Sequence, residues 1–161
     1  VAFAEALEPS FKLYAADVVA NAQALGATLQ KRGLELITGG TDTHLLLVDL
    51  RPKHLTGDLV ENSLERAGIT CNKNAIPFDM EKPSVTSGVR LGSPAGTSRG
   101  FGVSEFRRIG EIIGDVIDGL AENGEQNNSK IERKAKSEVL SLCQSFPLYR
   151  GLYAPRAIKE G

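Results

Sequence analysis

An arginine with a glycine two residues away on each side sits inside the stretch Val85-Thr86-Ser87-Gly88-Val89-Arg90-Leu91-Gly92-Ser93-Pro94-Ala95. Branched and aliphatic residues favour a strand here, and in a strand successive side chains alternate between faces. Val85, Ser87, Val89 and Leu91 then share one face, and Thr86, Gly88, Arg90 and Gly92 the other. Such a strand needs a core on the valine side and holds Arg90 on a face cleared of bulk. A guanidinium is a planar fork of donors that matches a carboxylate bidentately. Two readings stay open: a slot for something flat and anionic, or an edge-strand arginine in a solvated ion pair. Pro94 ends the strand, and the small residues down to Arg99-Gly100-Phe101 make a tight loop or a single helical turn.

The flanking chain supplies the helices that would form the core. Leu7, Phe11, Tyr14, Val18, Ala22, Leu25 and Leu29 recur at threes and fours, which predicts helix with one apolar stripe over residues 1–32. Pro9 fits its first turn or marks a kink, and Gly33 suits the position after its end. A strand is expected at Leu34–Ile37, a turn at Gly39-Gly40-Thr41-Asp42, and a strand at His44–Leu50 that is apolar on both faces. Thr56 reads as an N-cap and Gly68 as the close of the next helix. Ile69–Cys71 reads as a short strand leading into Asn72-Lys73-Asn74, and Pro77–Pro83 as a loop feeding the Arg90 strand. Ser104 is expected to cap a helix striped by Phe106, Ile109, Ile113, Val116 and Leu120, with Gly110 and Gly114 marking close helix approach. Ser129 and Glu132 read as a capping box before a last helix striped by Ile131, Ala135, Val139 and Leu142. Helices gathered around short hairpin-linked strands predict an α+β sandwich, a small mostly antiparallel sheet covered by helices on one face.

A chain of 161 residues is enough for one domain with a real core. Its net charge of −1, with basic residues dispersed, argues against nucleic acid or an anionic membrane as main partner. The two cysteines, Cys71 and Cys143, suit a reduced cytoplasmic protein, and no metal-ligand spacing stands out. Asp42 with His44 could be imagined as an acid–base pair, but no nucleophile accompanies them, and a turn aspartate beside a strand-end histidine explains them as well. The amides of Asn72 and Asn74 around Lys73 can offer donors and acceptors to a ligand, or simply cap a turn. The opening VAFAEALEPSF begins in what reads as the middle of a helix, as a fragment would.

TSGVRLGSPAGTSRGF, together with GGTDTHLLLVDL (Gly39–Leu50) and ITCNKNAIPFD (Ile69–Asp79), resembles the C-terminal part of serine hydroxymethyltransferases, over roughly residues 1–149. Three blocks in order and spacing make the likeness specific. The resemblance implies the small domain of a fold-type I pyridoxal-phosphate transferase, with 1–32 a long helix leading from an absent large domain, 33–149 the small domain and 150–161 a tail. It implies interconversion of serine plus tetrahydrofolate with glycine plus methylenetetrahydrofolate, with pyridoxal phosphate as electron sink. Carried over by position, Arg90 matches the arginine that grips the substrate carboxylate, Asn74 the asparagine at the folate pterin, and Lys82-Pro83-Ser84 a segment lining the folate site. The family's Schiff-base lysine follows a threonine-rich, histidine-containing run that is absent here. The resemblance therefore implies a chain inactive alone, inside a homodimeric or dimer-of-dimers parent. The alternative is a stand-alone, non-catalytic module that keeps the amino-acid and folate contacts.

Overall fold

The computed structural model describes residues 1–148. The expected tail 150–161, together with Tyr149, lies outside the described residues. The chain folds as α1 (Ala2–Leu7), α2 (Pro9–Lys31), β1 (Glu35–Ile37), β2 (Leu45–Asp49), a 3-10 turn (Arg51–Lys53), α3 (Gly57–Arg66), β3 (Asn72–Asn74), β4 (Gly88–Gly92), α4 (Pro94–Arg99), α5 (Val103–Asn123), a second 3-10 turn (Glu125–Asn127) and α6 (Ser129–Ser145). The strands form one sheet in the order β1-β2-β4-β3, antiparallel at every pairing.

The first helical stretch is broken, not continuous. Glu8 is extended and Pro9 starts α2, where its missing N–H costs nothing. The expected stripe begins late: Leu7 and Phe11 are exposed, and burial starts at Val18 and runs through Ala22, Leu25 and Leu29. Two helices end in the same hydrogen-bonded motif. Gly33 and Gly68 take left-handed φ of 77° and 81°, and their N–H groups bond Gln30 O and Glu65 O. The next residues, Leu34 and Ile69, bond back to Leu29 O and Leu64 O at 3.1 and 2.8 Å. Because the Ile69 N–H closes α3, Ile69–Cys71 does not join the ladder, and β3 starts at Asn72 instead.

The N-caps also differ in mechanism from expectation. Thr56 caps α3 in position, but the free N–H groups of Gly57 and Asp58 are taken by Thr86 O and Val85 O. The cap of α5 is Gly102, whose N–H is accepted by the Glu105 carboxylate at 2.8 Å; Ser104 is already inside the helix. Asn128 caps α6, and Glu132 forms no capping box. Its carboxylate is buried and accepts from Ser63 Oγ at 2.7 Å and from Arg66 Nε and Nη2 at 2.8 Å, tying α6 to α3.

The core lies between one sheet face and the helices. Leu36, Leu46, Val48, Val89 and Leu91 from the sheet meet Leu25 and Leu29 of α2, Val60 and Leu64 of α3, and Ile113, Val116, Ile117 and Leu120 of α5. Burial of each large aliphatic side chain contributes about 1.5–3 kcal/mol. α2 and α5 approach closely where α5 has glycine: a Cβ on Gly110 would stand 2.8 Å from Thr28, and one on Gly114 3.0 Å from Arg32. Arg32 then reaches Glu111, Asp115 and Asp118 at 2.8, 2.9 and 2.8 Å, sealing that seam with charge. β2 is covered along its whole length on one face only. On the other, Leu45 and Leu47 are half-buried and only Asp49, at its end, is buried, so an apolar strand here does not mean a strand packed on both sides.

Candidate functional site

The uncovered sheet face carries the predicted arginine. Antiparallel pairing sets cross-strand partners side by side on one face. One row reads Ile37, Leu47, Arg90, Asn72; the next reads Glu35, Asp49, Gly88, Asn74. Arg90 is exposed, with Val89 and Leu91 buried to either side, as alternation requires. The alternation does not extend back to Val85: Thr86 has φ 62° and its hydroxyl donates to Gly88 O, so the strand begins only at Gly88.

β4 lies between β2 and β3, so Arg90 is not on an edge strand. It makes no salt bridge among the described residues. The solvated-ion-pair reading thus has no carboxylate to rest on. Of the two acidic side chains in the face's rows, Asp49, on the strand paired with β4, is already taken. Arg51 donates to it through its backbone N–H, Nε and Nη2 at 3.0, 3.0 and 2.6 Å, which holds the Asp49 carboxyl below its ordinary range. Among the described residues the Arg90 guanidinium makes one hydrogen bond, a long one, Nη2 donating to Asn72 Oδ1 at 3.5 Å. A fork satisfied only this loosely can still present its remaining N–H groups outward.

A cavity of about 380 Å³ adjoins it, lined by His44, Leu45, Thr70, Cys71, Asn72, Arg90, Leu91 and Gly92. That volume is within the range of small-molecule sites. The two flanking glycines differ. At Gly92 a Cβ would come no nearer than 3.4 Å to His44 O, so that side is open. At Gly88 a Cβ would collide with Ile76 Cγ2 at 2.6 Å, Val48 O at 2.8 Å and Asn74 O at 2.9 Å. Gly88 is there for close packing and clears no space for a ligand, a correction to the symmetric slot expected from the spacing.

Asn74 is half-buried, pairs with Gly88, and donates Nδ2 to Ala75 O at 2.7 Å. It shares the Arg90 face, one row along. Lys82, Pro83 and Ser84 are exposed, in a turn where Val85 N and Thr86 N both bond Lys82 O. The residues after that turn, Val85 and Thr86, hold the start of α3 through their carbonyls, and among the described residues no hydrogen bond joins Lys82–Ser84 to Arg90 or Asn74. The structure brings Arg90 and Asn74 onto one face and sets Lys82–Ser84 at the far end of the loop between their strands. Asn72 and His44, both weighed from the sequence for their side chains, join the cavity together with Thr70, which nothing in the sequence marked. The pairing of Asn72 with Arg90 would have been found by shifting the strand assignment three residues on.

Asp42 and His44 share no hydrogen bond, and the His44 carbonyl serves the backbone by accepting from Ser93 N at 3.0 Å. Cys71, half-buried at the cavity and near Glu61 and Glu65, has its thiol pushed up to about 12, by burial first, so it is not poised as a nucleophile. Both cysteines are free thiols, and no cluster of metal-ligating side chains occurs among the described residues. Among the described residues no helix is long and apolar enough to cross a membrane.

A sequence model of the family described as serine hydroxymethyltransferase matches residues 1–113. The chain belongs to the serine hydroxymethyltransferase family. The serine hydroxymethyltransferase of Paramagnetospirillum magneticum is 65% identical over 150 residues, which is 93% of this chain and 35% of that relative. That of Jannaschia sp. is 61% identical over 152 residues, 94% of this chain and 35% of its own length. That of Paracoccus denitrificans is 60% identical, with 94% of this chain and 36% of its own length covered. The chain thus spans little more than a third of the serine hydroxymethyltransferases it matches. Pyridoxal phosphate, expected of this family, needs an amine for its aldehyde. Among the described residues no lysine lines the Arg90 cavity, and Lys53 and Lys73 are engaged with Asp118 and Glu61 at 2.8 and 2.9 Å. The residues present do not fit that cofactor.

Proposed function

We propose that this chain is the amino-acid- and folate-facing portion of an enzyme that interconverts serine plus tetrahydrofolate with glycine plus methylenetetrahydrofolate. The observation that carries the reading is Arg90: an exposed guanidinium without an ion pair among the described residues, beside a cavity on the open face of a sheet in a member of this family. In this reading Arg90 binds the substrate carboxylate through its fork and fixes the amino acid's orientation. Asn74, one row away, offers both a donor and an acceptor to the lactam edge of the pterin. Lys82, Pro83 and Ser84 line the same folate site from the loop.

Residues 33–149 correspond to the small domain and 1–32 to the helix entering it, within a cytoplasmic homodimer or dimer of dimers. The cofactor site belongs to the part of the relatives' length that this chain does not span, and the chain alone is expected to catalyse nothing. The test is a chimera in which residues 1–150 replace the matching segment of the Paramagnetospirillum magneticum relative. Folate-dependent conversion of serine to glycine is expected of it. A folded chimera that binds neither serine nor tetrahydrofolate would contradict the reading.

A further inference from the structure

The loop from Ala75 to Ser87 joins β3 to β4, and its tip is fully in solvent: Phe78 and Met80 are 95% and 94% exposed, and Lys82, Pro83 and Ser84 are exposed as well. An exposed loop of this length would ordinarily sample many conformations. This one is tied through a single side chain. Asp79 Oδ1 accepts from Ser87 Oγ at 2.6 Å and from Glu81 N at 3.0 Å. Asp79 Oδ2 accepts from Ser87 N at 2.9 Å and from Ile76 N at 3.2 Å. The two bonds to Ser87 are the only hydrogen bonds that join the outgoing limb, 75–81, to the returning limb, 82–87, among the described residues.

The base on either side is already fixed. Ile76 fills the place a side chain at Gly88 would take, and Thr86 O and Val85 O hold the start of α3. Gly57 is obliged to be glycine there, since a Cβ would stand 2.0 Å from Thr86 Oγ1. Between these anchors the path of Met80–Ser84 is set by Asp79. The four bonds hold its carboxyl far below the ordinary carboxylate range, the Ser87 hydroxyl foremost, so it stays an acceptor at any physiological pH.

We infer that Asp79 is a positioning residue for tetrahydrofolate: by clasping Ser87 it holds the Lys82–Ser84 turn in its ligand-ready path. This rests on the folate reading of Lys82–Ser84 given above. Preorganising a loop removes ordering entropy that binding would otherwise bear. The effect falls on the co-substrate served by the loop, and amino-acid binding at Arg90 is spared.

The test uses the full-length enzyme carrying this segment, with Asp79→Asn, Asp79→Ala, Ser87→Ala and, separately, the double change Lys82→Ala with Ser84→Ala. Asp79→Ala and Ser87→Ala are expected to raise the apparent KM for tetrahydrofolate about tenfold, equivalent to roughly 1.4 kcal/mol. Asp79→Asn, which keeps one carbonyl acceptor, should recover part of that loss. Serine affinity and folate-independent cleavage of a 3-hydroxy amino acid should stay within about twofold. If the double change raises the folate KM and no Asp79 or Ser87 variant does, the positioning role is refuted while the folate reading stands. If the double change leaves the folate KM alone, the folate reading falls and takes this inference with it. Equal loss in the folate-dependent and folate-independent reactions would show a clasp that only supports the fold, and would also overturn it.

Discussion

Asn72 and Arg90 are cross-strand partners, and among the described residues the Asn72 amide oxygen is the one acceptor for the Arg90 guanidinium, at 3.5 Å. Neutrality at position 72 is what leaves the fork available to an outside carboxylate. Asn72→Asp would place a negative charge beside it, and at this separation near a surface such a pair is worth roughly 1–2 kcal/mol. In the full-length enzyme Asn72→Asp is therefore expected to weaken serine and glycine binding on the order of tenfold, and Asn72→Ala much less. Amino-acid titration of both variants checks this. Equal effects would mean that position 72 acts through shape alone.

Gly88 and Gly92 look alike in sequence and should behave oppositely. A methyl at 88 meets the backbone oxygens of Val48 and Asn74, which cannot swing aside, whereas one at 92 meets ordinary contacts. Gly88→Ala is expected to destabilise the chain by about 1–3 kcal/mol through overpacking, and Gly92→Ala by under about 1 kcal/mol. Urea unfolding of the two variants provides the comparison.

Glu132 makes the α3–α6 contact sensitive to acid. Its carboxyl, 5% exposed, is held below its ordinary 4.5, first by Arg66 and also by Ser63. Below 4.5 the unfolded chain takes up the proton more readily than the folded one, so this contribution to stability is full above that pH and falls away beneath it. The urea midpoint should hold from neutral pH down to about 4.5 and drop as the pH falls further, and Glu132→Gln should lower it at neutral pH and flatten the drop. An unchanged pH dependence in Glu132→Gln would show that Glu132 is not among the groups responsible.

With its thiol raised to about 12 by burial, Cys71 should carry far less thiolate than an ordinary cysteine. In a Cys143→Ser chain, a thiol reagent at mildly alkaline pH should react slowly with the native protein and fast after unfolding. Rapid native labelling would show that Cys71 is more open than its packing indicates.

Much of the framework could be read from residue order, because local rules decide it. Gly33 and Gly68 end their helices with the left-handed turn that glycine favours, and Gly110 and Gly114 mark where α2 comes close. The stripes of α5 and α6 face the core as their periodicity requires. Elsewhere tertiary partners outweighed local preference. Ile69-Thr70-Cys71 has better strand character than Asn72-Lys73-Asn74, yet the ladder forms at the latter. There β4 supplies pairing, and Glu61 accepts the edge N–H of Lys73 at 3.0 Å. Glu132 fits a capping box by spacing but is taken by Arg66 and Ser63 from another helix. At the site, Arg90 and the amides of Asn72 and Asn74 stood out by type and position. The pairing of Asn72 with Arg90 and the Asp79 clasp did not, since a strand register and a loop crosslink are relations between distant residues that no spacing rule reports.

The central claim is that Arg90 binds the substrate carboxylate, and equilibrium binding of serine to the full-length enzyme with Arg90→Lys and Arg90→Ala tests it most directly. An ammonium keeps the charge but not the two parallel bonds, so Arg90→Lys should already weaken serine binding markedly. Arg90→Ala should cost on the order of 2–5 kcal/mol, with the cofactor still bound and the unfolding midpoint little changed. Serine affinity unaltered in both variants would contradict the account and leave Arg90 as an exposed arginine on the sheet.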